Sequence, residues 1–337
     1  MTVENTTATT RDTMRAVARH SYGTLEQVQL ENIARPEPGR GQVLIEVHAA
    51  GVDQGVWHLM TGLPYLVRLA GFGLTRPKNP TLGLDVAGRV AAVGPGVERF
   101  AVGDEVFGFA DGSFAEYALA EESSLALKPV SMTYEQAAAV PVSGVTALQA
   151  LTDVGRLQPG QSVLVIGASG GVGSYAVQLA VALGARVTGV AGGSKTDLVR
   201  SLGASEVVDY KATDYLDGSR RYDLIVDTGG RNPVRKLRKA LTDQGTLVIV
   251  GGEGGGRWTG GIGRQIRATL LSPFVSHRLA MFISRQSHEL LERLGSYLDS
   301  GDVTPAVGRT YTLDQAPTAI ADLEAGRTAG KSVISVR

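Results

Sequence analysis

The sequence predicts an α/β protein with one β-rich domain and one doubly wound parallel-sheet domain. Three observations predict it. Strand-like runs dominate the first third, regular strand–helix alternation begins at Ser162, and a glycine turn at 167–173 joins the first of these strands to a helix. A length of 337 residues suits two domains, and 43% hydrophobic residues suffice for sizeable cores.

Residues 1–13 are polar, carry Glu4 and Asp12, and lack the apolar stretch of a secretory signal; they read as a frayed leader. Residues 14–18, 42–47 and 86–93 are short runs rich in valine, isoleucine and alanine, bounded by turn signals at 36–41 and 94–96. Residues 57–76 are apolar and aromatic with scattered glycines, which predicts short helices and loop. A turn at 103–108 enters another strand, and 113–118 continues the β pattern. Residues 134–139 and 144–152 have helical character. Strands at 162–166, 186–190, 206–209, 224–226 and 246–250 then alternate with helices at 172–183, 196–202 and 233–241. Wholly apolar strands in this alternation predict a parallel sheet covered on both faces, with right-handed crossovers. A helix at 289–299, a turn at Gly301, a strand near 309–311, a helix at 313–324 and a closing strand at 332–336 follow.

Composition excludes several classes of function. Formal net charge is zero and no basic stripe stands out, which argues against a nucleic-acid partner. No window reaches about 18 uninterrupted apolar residues, so no membrane span is expected. The absence of cysteine removes disulfides, thiolate nucleophiles and cysteine-ligated metals, and fits a reducing cytoplasm.

The sharpest motif runs from Val163 to Gly173 and on into the helix to Ala180. A buried strand enters a glycine turn, and the turn opens a helix. A pyrophosphate needs this context, because it rests on backbone N–H groups at a helix N-terminus. Ala168, Ser169, Gly170, Gly171, Val172 and Gly173 are the expected contacts. A Cβ at Gly170 would block the phosphates, and Gly173 lets the helix approach the first strand. The spacing 168–170–173 fits the dinucleotide fingerprint except that Ala168 stands at its first glycine. An NAD-selective site places a carboxylate about 20 residues further on. Here the second strand ends at Gly192, Gly193, Ser194 and Lys195, with no acid at its tip. Ser194 and Lys195 suit a 2′-phosphate, and Tyr210 adds a hydroxyl or packs beside the adenosine, so NADPH is the expected cofactor.

Several segments together resemble one family. They are 49–53 (Ala-Ala-Gly-Val-Asp), 83–88 (Gly-Leu-Asp-Val-Ala-Gly), 102–108 (Val-Gly-Asp-Glu-Val-Phe-Gly) and 139–147 around Pro141, Ser143 and Thr146. The glycine loop, 202–204 with 208–210, and 330–333 (Gly-Lys-Ser-Val) complete the set. In this order they resemble the medium-chain dehydrogenase/reductase superfamily, in its quinone reductase-like branch. The resemblance covers about residues 14–337. It implies a GroES-like β-barrel domain from residues 14–136 and 287–337, a Rossmann domain at 137–286, and the cofactor in the cleft between them. It also implies a homodimer through the edge of the Rossmann sheet, for which the glycine-rich apolar stretch 251–283 is the candidate.

Zinc alcohol dehydrogenases of this superfamily carry a catalytic cysteine, a Gly-His-Glu segment and a four-cysteine lobe. Asp53 stands at the cysteine, Gly83-Leu84-Asp85 stands at the second motif, and Ser113 and Phe114 follow too soon after Gly108 for the lobe. Asp53, Asp85 and His58 remain as hard ligands, yet catalytic zinc generally takes nitrogen or sulfur donors, so no metal is expected. Hydride transfer to an electron-poor quinone or α,β-unsaturated carbonyl needs no Lewis acid, and this is the expected reaction.

The candidate catalytic residues are Asp53, His58 and Thr146. Asp53 either bonds the nicotinamide ribose or substrate, or caps its own turn. Many relatives have asparagine there, and aspartate where this chain has Val56. His58 is either a proton donor or a histidine packed beside Trp57, and Tyr65 divides the same way. Thr146 resembles the family threonine beneath the nicotinamide, with Ser143 one helical turn before it. Gly251 and Gly252 would let the nicotinamide lie against backbone or simply form a turn, and Lys331 reaches the cofactor or closes a turn. Two further readings stay open: an enoyl-thioester reductase, whose basic mouth Arg257, Arg264 and Arg267 would supply, and a non-catalytic NADPH-binding sensor.

Overall fold

Residues 13–252 and 256–337 are described by a computed structural model, apart from the side chain of Ala70; the polar leader through position 12 lies outside them. An antiparallel hairpin of β1 (Thr13–Ala18) and β2 (Gln29–Ala34) comes first. The long strand β3 (Gln42–Val52) runs past its expected end at 47, because Ala49, Ala50 and Gly51 are small enough to continue the ladder against β4 (Asp85–Val93). Helix α1 (Gln54–Thr61) and the single turn α2 (Tyr65–Val67) lie between them. β4 pairs with β5 (Glu105–Phe109), β3 pairs with β6 (Tyr117–Glu121), and β5 pairs with β7 (Leu125–Leu127). The strand expected at 113–118 is corrected here. Residues 113–116 make single bonds to Leu82, β1 and β3 while Phe114 packs under Gly83, and regular pairing starts at Tyr117.

Helix α3 (Tyr134–Ala138) is closed by a capping box between Thr133 and Gln136. Helix α4 (Pro141–Gln149) starts before the expected position 144, since proline fits a first helical turn. β8 (Ser162–Ile166), α5 (Gly171–Ala182), β9 (Arg186–Ala191), α6 (Thr196–Ser201) and β10 (Glu206–Asp209) then alternate as expected. β11 (Tyr222–Asp227) and α7 (Val234–Lys239) lead into β12 (Leu241–Ile249). β12 already begins where the helix expected at 233–241 would end. In the glycine-rich stretch, α8 (Ile262–Leu271) and the short β13 (Arg278–Met281) appear where neither was anticipated.

The second sheet is wholly parallel, in the order β10-β9-β8-β11-β12-β13. Strand order reverses between β8 and β11, which opens a crevice at their carboxyl ends. After α9 (His288–Asp299), β14 (Val307–Thr312) and α10 (Ala316–Glu324) return the chain to the first sheet. Residues 313–315 form a tighter turn ahead of α10 rather than part of it. β15 (Lys331–Ser335) inserts between β14 and β3.

One core fills the first sheet around Val47, Phe114 and Ile334; another joins α4, α5 and the parallel sheet around Leu148, Val165 and Tyr175. Among the described residues, no helix is long and apolar enough to cross a membrane.

Candidate functional site

The glycine turn sits at the crevice between β8 and β11. Gly167 adopts φ +80°, and a Cβ there would lie 2.4 Å from Thr228 Oγ1. The tight-turn glycine is therefore Gly167, one position before Ala168. At Gly173 a Cβ would meet the Gly167 carbonyl at 2.0 Å, so only glycine allows α5 to pack this closely on β8. A Cβ on Gly170 would meet only the Gly167 carbonyl, at 3.4 Å, so this face of the turn is open. No side chain caps α5, and its first N–H groups remain available to an anion.

A cleft of ≈ 790 Å³ extends from this turn and is lined by Ser169, Ser194, Lys195, Tyr210, Lys211 and Arg231, among others. The Lys195 ammonium donates to the carbonyls of Gly326 and Thr328 at 2.7 and 2.6 Å. Burial, and then repulsion from Lys211, hold its pKa below the ordinary lysine value. A phosphate beside it would oppose both effects by favouring the charged ammonium. Lys211 and Arg231 escaped sequence reading because nothing local marks them; only the fold brings them beside Lys195. The uncapped turn, the basic cleft wall and the missing acid at the tip of β9 fit a phosphorylated dinucleotide.

Asp53, Asp85, Ser143 and Lys331 converge beneath the turn. Asp53 Oδ1 accepts the Gly55 N–H at 2.7 Å and so caps α1. Asp85 Oδ1 accepts the Val142 N–H at 2.7 Å. The Lys331 ammonium lies 2.6 Å from Asp85 Oδ2 and 3.8 Å from Asp53 Oδ2, and donates to Ser143 Oγ at 3.2 Å. Burial raises the Asp85 pKa to about 6, against the opposing pull of Lys331. Thr146 is buried one turn beyond Ser143 on α4. Sequence reading singled out Lys331 and Asp53 separately; their meeting required the return of β15 to β3.

These residues do not fit zinc. An ammonium already occupies the space between the two carboxylates, and among the described residues no three His, Cys, Asp or Glu side chains cluster as metal ligands. His58 is held elsewhere, with Nδ1 2.7 Å from the Leu63 carbonyl and its ring edge-on to Trp57. A carbonyl only accepts, so Nδ1 donates to Leu63, and Nε2 is the ring nitrogen left for another partner.

The two stretches that sequence left least defined meet each other. The Tyr65 N–H donates to the Arg257 carbonyl at 2.9 Å, and the Tyr65 ring stands edge-on to Trp258 at 5.2 Å. Gly251 lies against Thr228, where a Cβ would approach the carbonyl to 2.2 Å; the Gly252 carbonyl accepts from Gly261 N. Of the basic mouth expected from Arg257, Arg264 and Arg267, only the Arg264 part is corrected, since Arg257 and Arg267 are exposed. Arg264 is tied to buried Asp227 at 2.7 Å and to the Asn232 carbonyl, and is spent on structure.

Residues 39–130 match the alcohol dehydrogenase GroES-like domain family, and residues 202–334 match the zinc-binding dehydrogenase family. The chain is 32% identical to a 2-methylene-furan-3-one reductase of Solanum lycopersicum, over 95% of this chain and 79% of that one. It is also 32% identical to a quinone oxidoreductase of Rattus norvegicus, over 94% and 95%. A mycobacterial protein solved in complex with NADPH superposes with a TM-score of 0.80 at 28% identity, covering 96% of this chain and 100% of that one. The chain is thus an oxidoreductase of the medium-chain dehydrogenase/reductase superfamily and belongs to its quinone oxidoreductase-like branch.

Proposed function

We propose that this protein reduces a quinone or an activated α,β-unsaturated carbonyl with NADPH, without zinc. One observation carries the reading: the open, uncapped start of α5 faces a cleft whose far wall bears Ser194, Lys195 and Tyr210. Backbone N–H groups of Ser169, Gly171, Val172 and Gly173 take the pyrophosphate, since those of Ala168 and Gly170 are already donated to the Val190 and Gly167 carbonyls, and Lys195 has one donor left for the 2′-phosphate after its two carbonyl bonds. When bound, the reduced nicotinamide supplies the hydride. Ser143 and Thr146 on α4, with Gly251 and Gly252 opposite, form the bed for its ring. Lys331 touches this bed through Ser143.

Asp53 stays committed to the Gly55 N–H and to the Lys331 side, while His58, its Nδ1 held by the Leu63 carbonyl, has Nε2 left to relay the proton that must follow hydride. Tyr65 and Trp258 supply an apolar wall for a planar acceptor. The quinone and enone reductases among the relatives and the NADPH-bound mycobacterial structure favour this reading. The proposal includes the domain division at 136/137 and 286/287, a homodimer, and a cytoplasmic location. With Arg264 tied to Asp227, a carrier-bound thioester would have only Arg257 and Arg267 of the three expected cations to meet it.

Turnover of NADPH, followed by its absorbance with a panel of quinones and enones, tests the activity. NADPH binding without turnover on any acceptor would instead support a sensor.

A further inference from the structure

Three ionisable side chains from separate segments are sealed beneath the glycine turn: Asp85 at 0% exposure, Lys331 at 2% and Asp53 at 6%. Each carboxylate holds the start of a helix. Asp53 caps α1. Asp85, from the first sheet, supplies the acceptor that α4 lacks, because Val140 at its start offers no side-chain bond. The two remaining carboxylate oxygens face the same ammonium. From there the cluster reaches the dinucleotide turn: a Cβ on Gly171 would lie 2.8 Å from Ser143 Oγ and 3.5 Å from Lys331 Cδ. The other titratable group facing Asp85 is Tyr175 of α5, whose hydroxyl donates to the Ala139 carbonyl at 3.1 Å.

A buried carboxylate pair without a cation is strongly unfavourable. A bound metal would be one solution; a lysine brought in by β15 is another, and its position is set by the sheet. We propose that Lys331 is a positioning residue, the built-in cation of the Asp53–Asp85 pair, which sets the first turns of α1 and α4 and with them His58, Ser143 and Thr146 against the glycine turn. Its effect on rate rests on the hydride-transfer reading; its effect on geometry does not.

The test compares Lys331→Met, Lys331→Arg and the charge-matched pair Lys331→Met/Asp85→Asn in the full chain. For Lys331→Met, kcat should fall about ten- to a hundred-fold, the range for groups that orient a site from behind. The KM for NADPH should move less than kcat. The acid limb of the pH–rate profile should shift to higher pH, since loss of the cation raises the carboxylate pKa. Amide exchange at Gly55 and Val142 should quicken. Lys331→Arg should restore part of the rate, and the double variant should regain thermal stability without regaining rate. Unchanged exchange at Gly55 and Val142 with an unchanged pH limb, in folded Lys331→Met, overturns the proposal. If Lys331→Met does not fold, the double variant, which keeps Asp53 without its cation, carries the Gly55 exchange readout, and unchanged exchange there overturns the proposal. A wild-type protein inert toward every acceptor counts against hydride transfer alone, and the exchange measurements then decide on Lys331.

Discussion

Lys195 has three donors, and two are already committed to the carbonyls at 326 and 328, so the proposed 2′-phosphate would complete its coordination without displacing anything. Replacing it by glutamate should cost about 100-fold in NADPH affinity, the scale of a lost charge-assisted bond plus repulsion, and leave NADH affinity nearly unchanged. Calorimetric titration with both nucleotides checks this, and equal losses for the two would remove Lys195 from the phosphate site. The strand, glycine turn and helix at 162–182 were legible because their pattern is local. The tight-turn glycine was misplaced by one position because only the φ of Gly167 reveals which glycine turns the chain. Asp85 was legible only as a metal position carrying the wrong residue. Its true partners, Val142 and Lys331, belong to other segments of the chain.

Among the elements, the strands and helices of the parallel sheet follow their apolar pattern closely. Misreadings gather where a turn or proline resets the register. α4 starts at Pro141, three small residues prolong β3, and Phe114 interrupts the strand expected near it. β13 was missed because four residues in a glycine-rich stretch carry too little pattern to count. Within the described residues it pairs only with β12, leaving one edge open, and Phe274 and Ile283 flank it at 84% and 86% exposure. Such an edge requires cover. If the proposed homodimer uses this edge, Phe274→Glu/Ile283→Glu should halve the mass in light scattering on a sizing column; a dimer that persists would place the interface elsewhere, and a monomeric wild type would remove the dimer.

At the scale of the molecule, strand–helix alternation was enough to recognise the parallel sheet and its crevice. The meeting of residues 57–76 with 251–283 was not readable, because irregular segments have no period to align. The buried ion cluster also couples the whole fold to pH. Native Asp85 binds its proton up to about pH 6, against an ordinary value of 3.8. Between these values the folded chain holds more protons than the unfolded one, so this group's contribution to stability falls as pH rises through the window. The stability of the wild type relative to Asp85→Asn, measured by urea unfolding, should therefore increase between pH 7 and pH 4, by up to about 3 kcal/mol. An equal difference at both pH values would refute this.

The position of β15 between β14 and β3 also bears on synthesis. A ribosome delivers both acidic partners, and the entire parallel sheet, long before residue 331 leaves the exit tunnel. Until then the nascent first sheet has an unfilled slot and two carboxylates with no lysine between them. Sheet completion and charge pairing in that half thus await the same strand, β15, which carries Lys331.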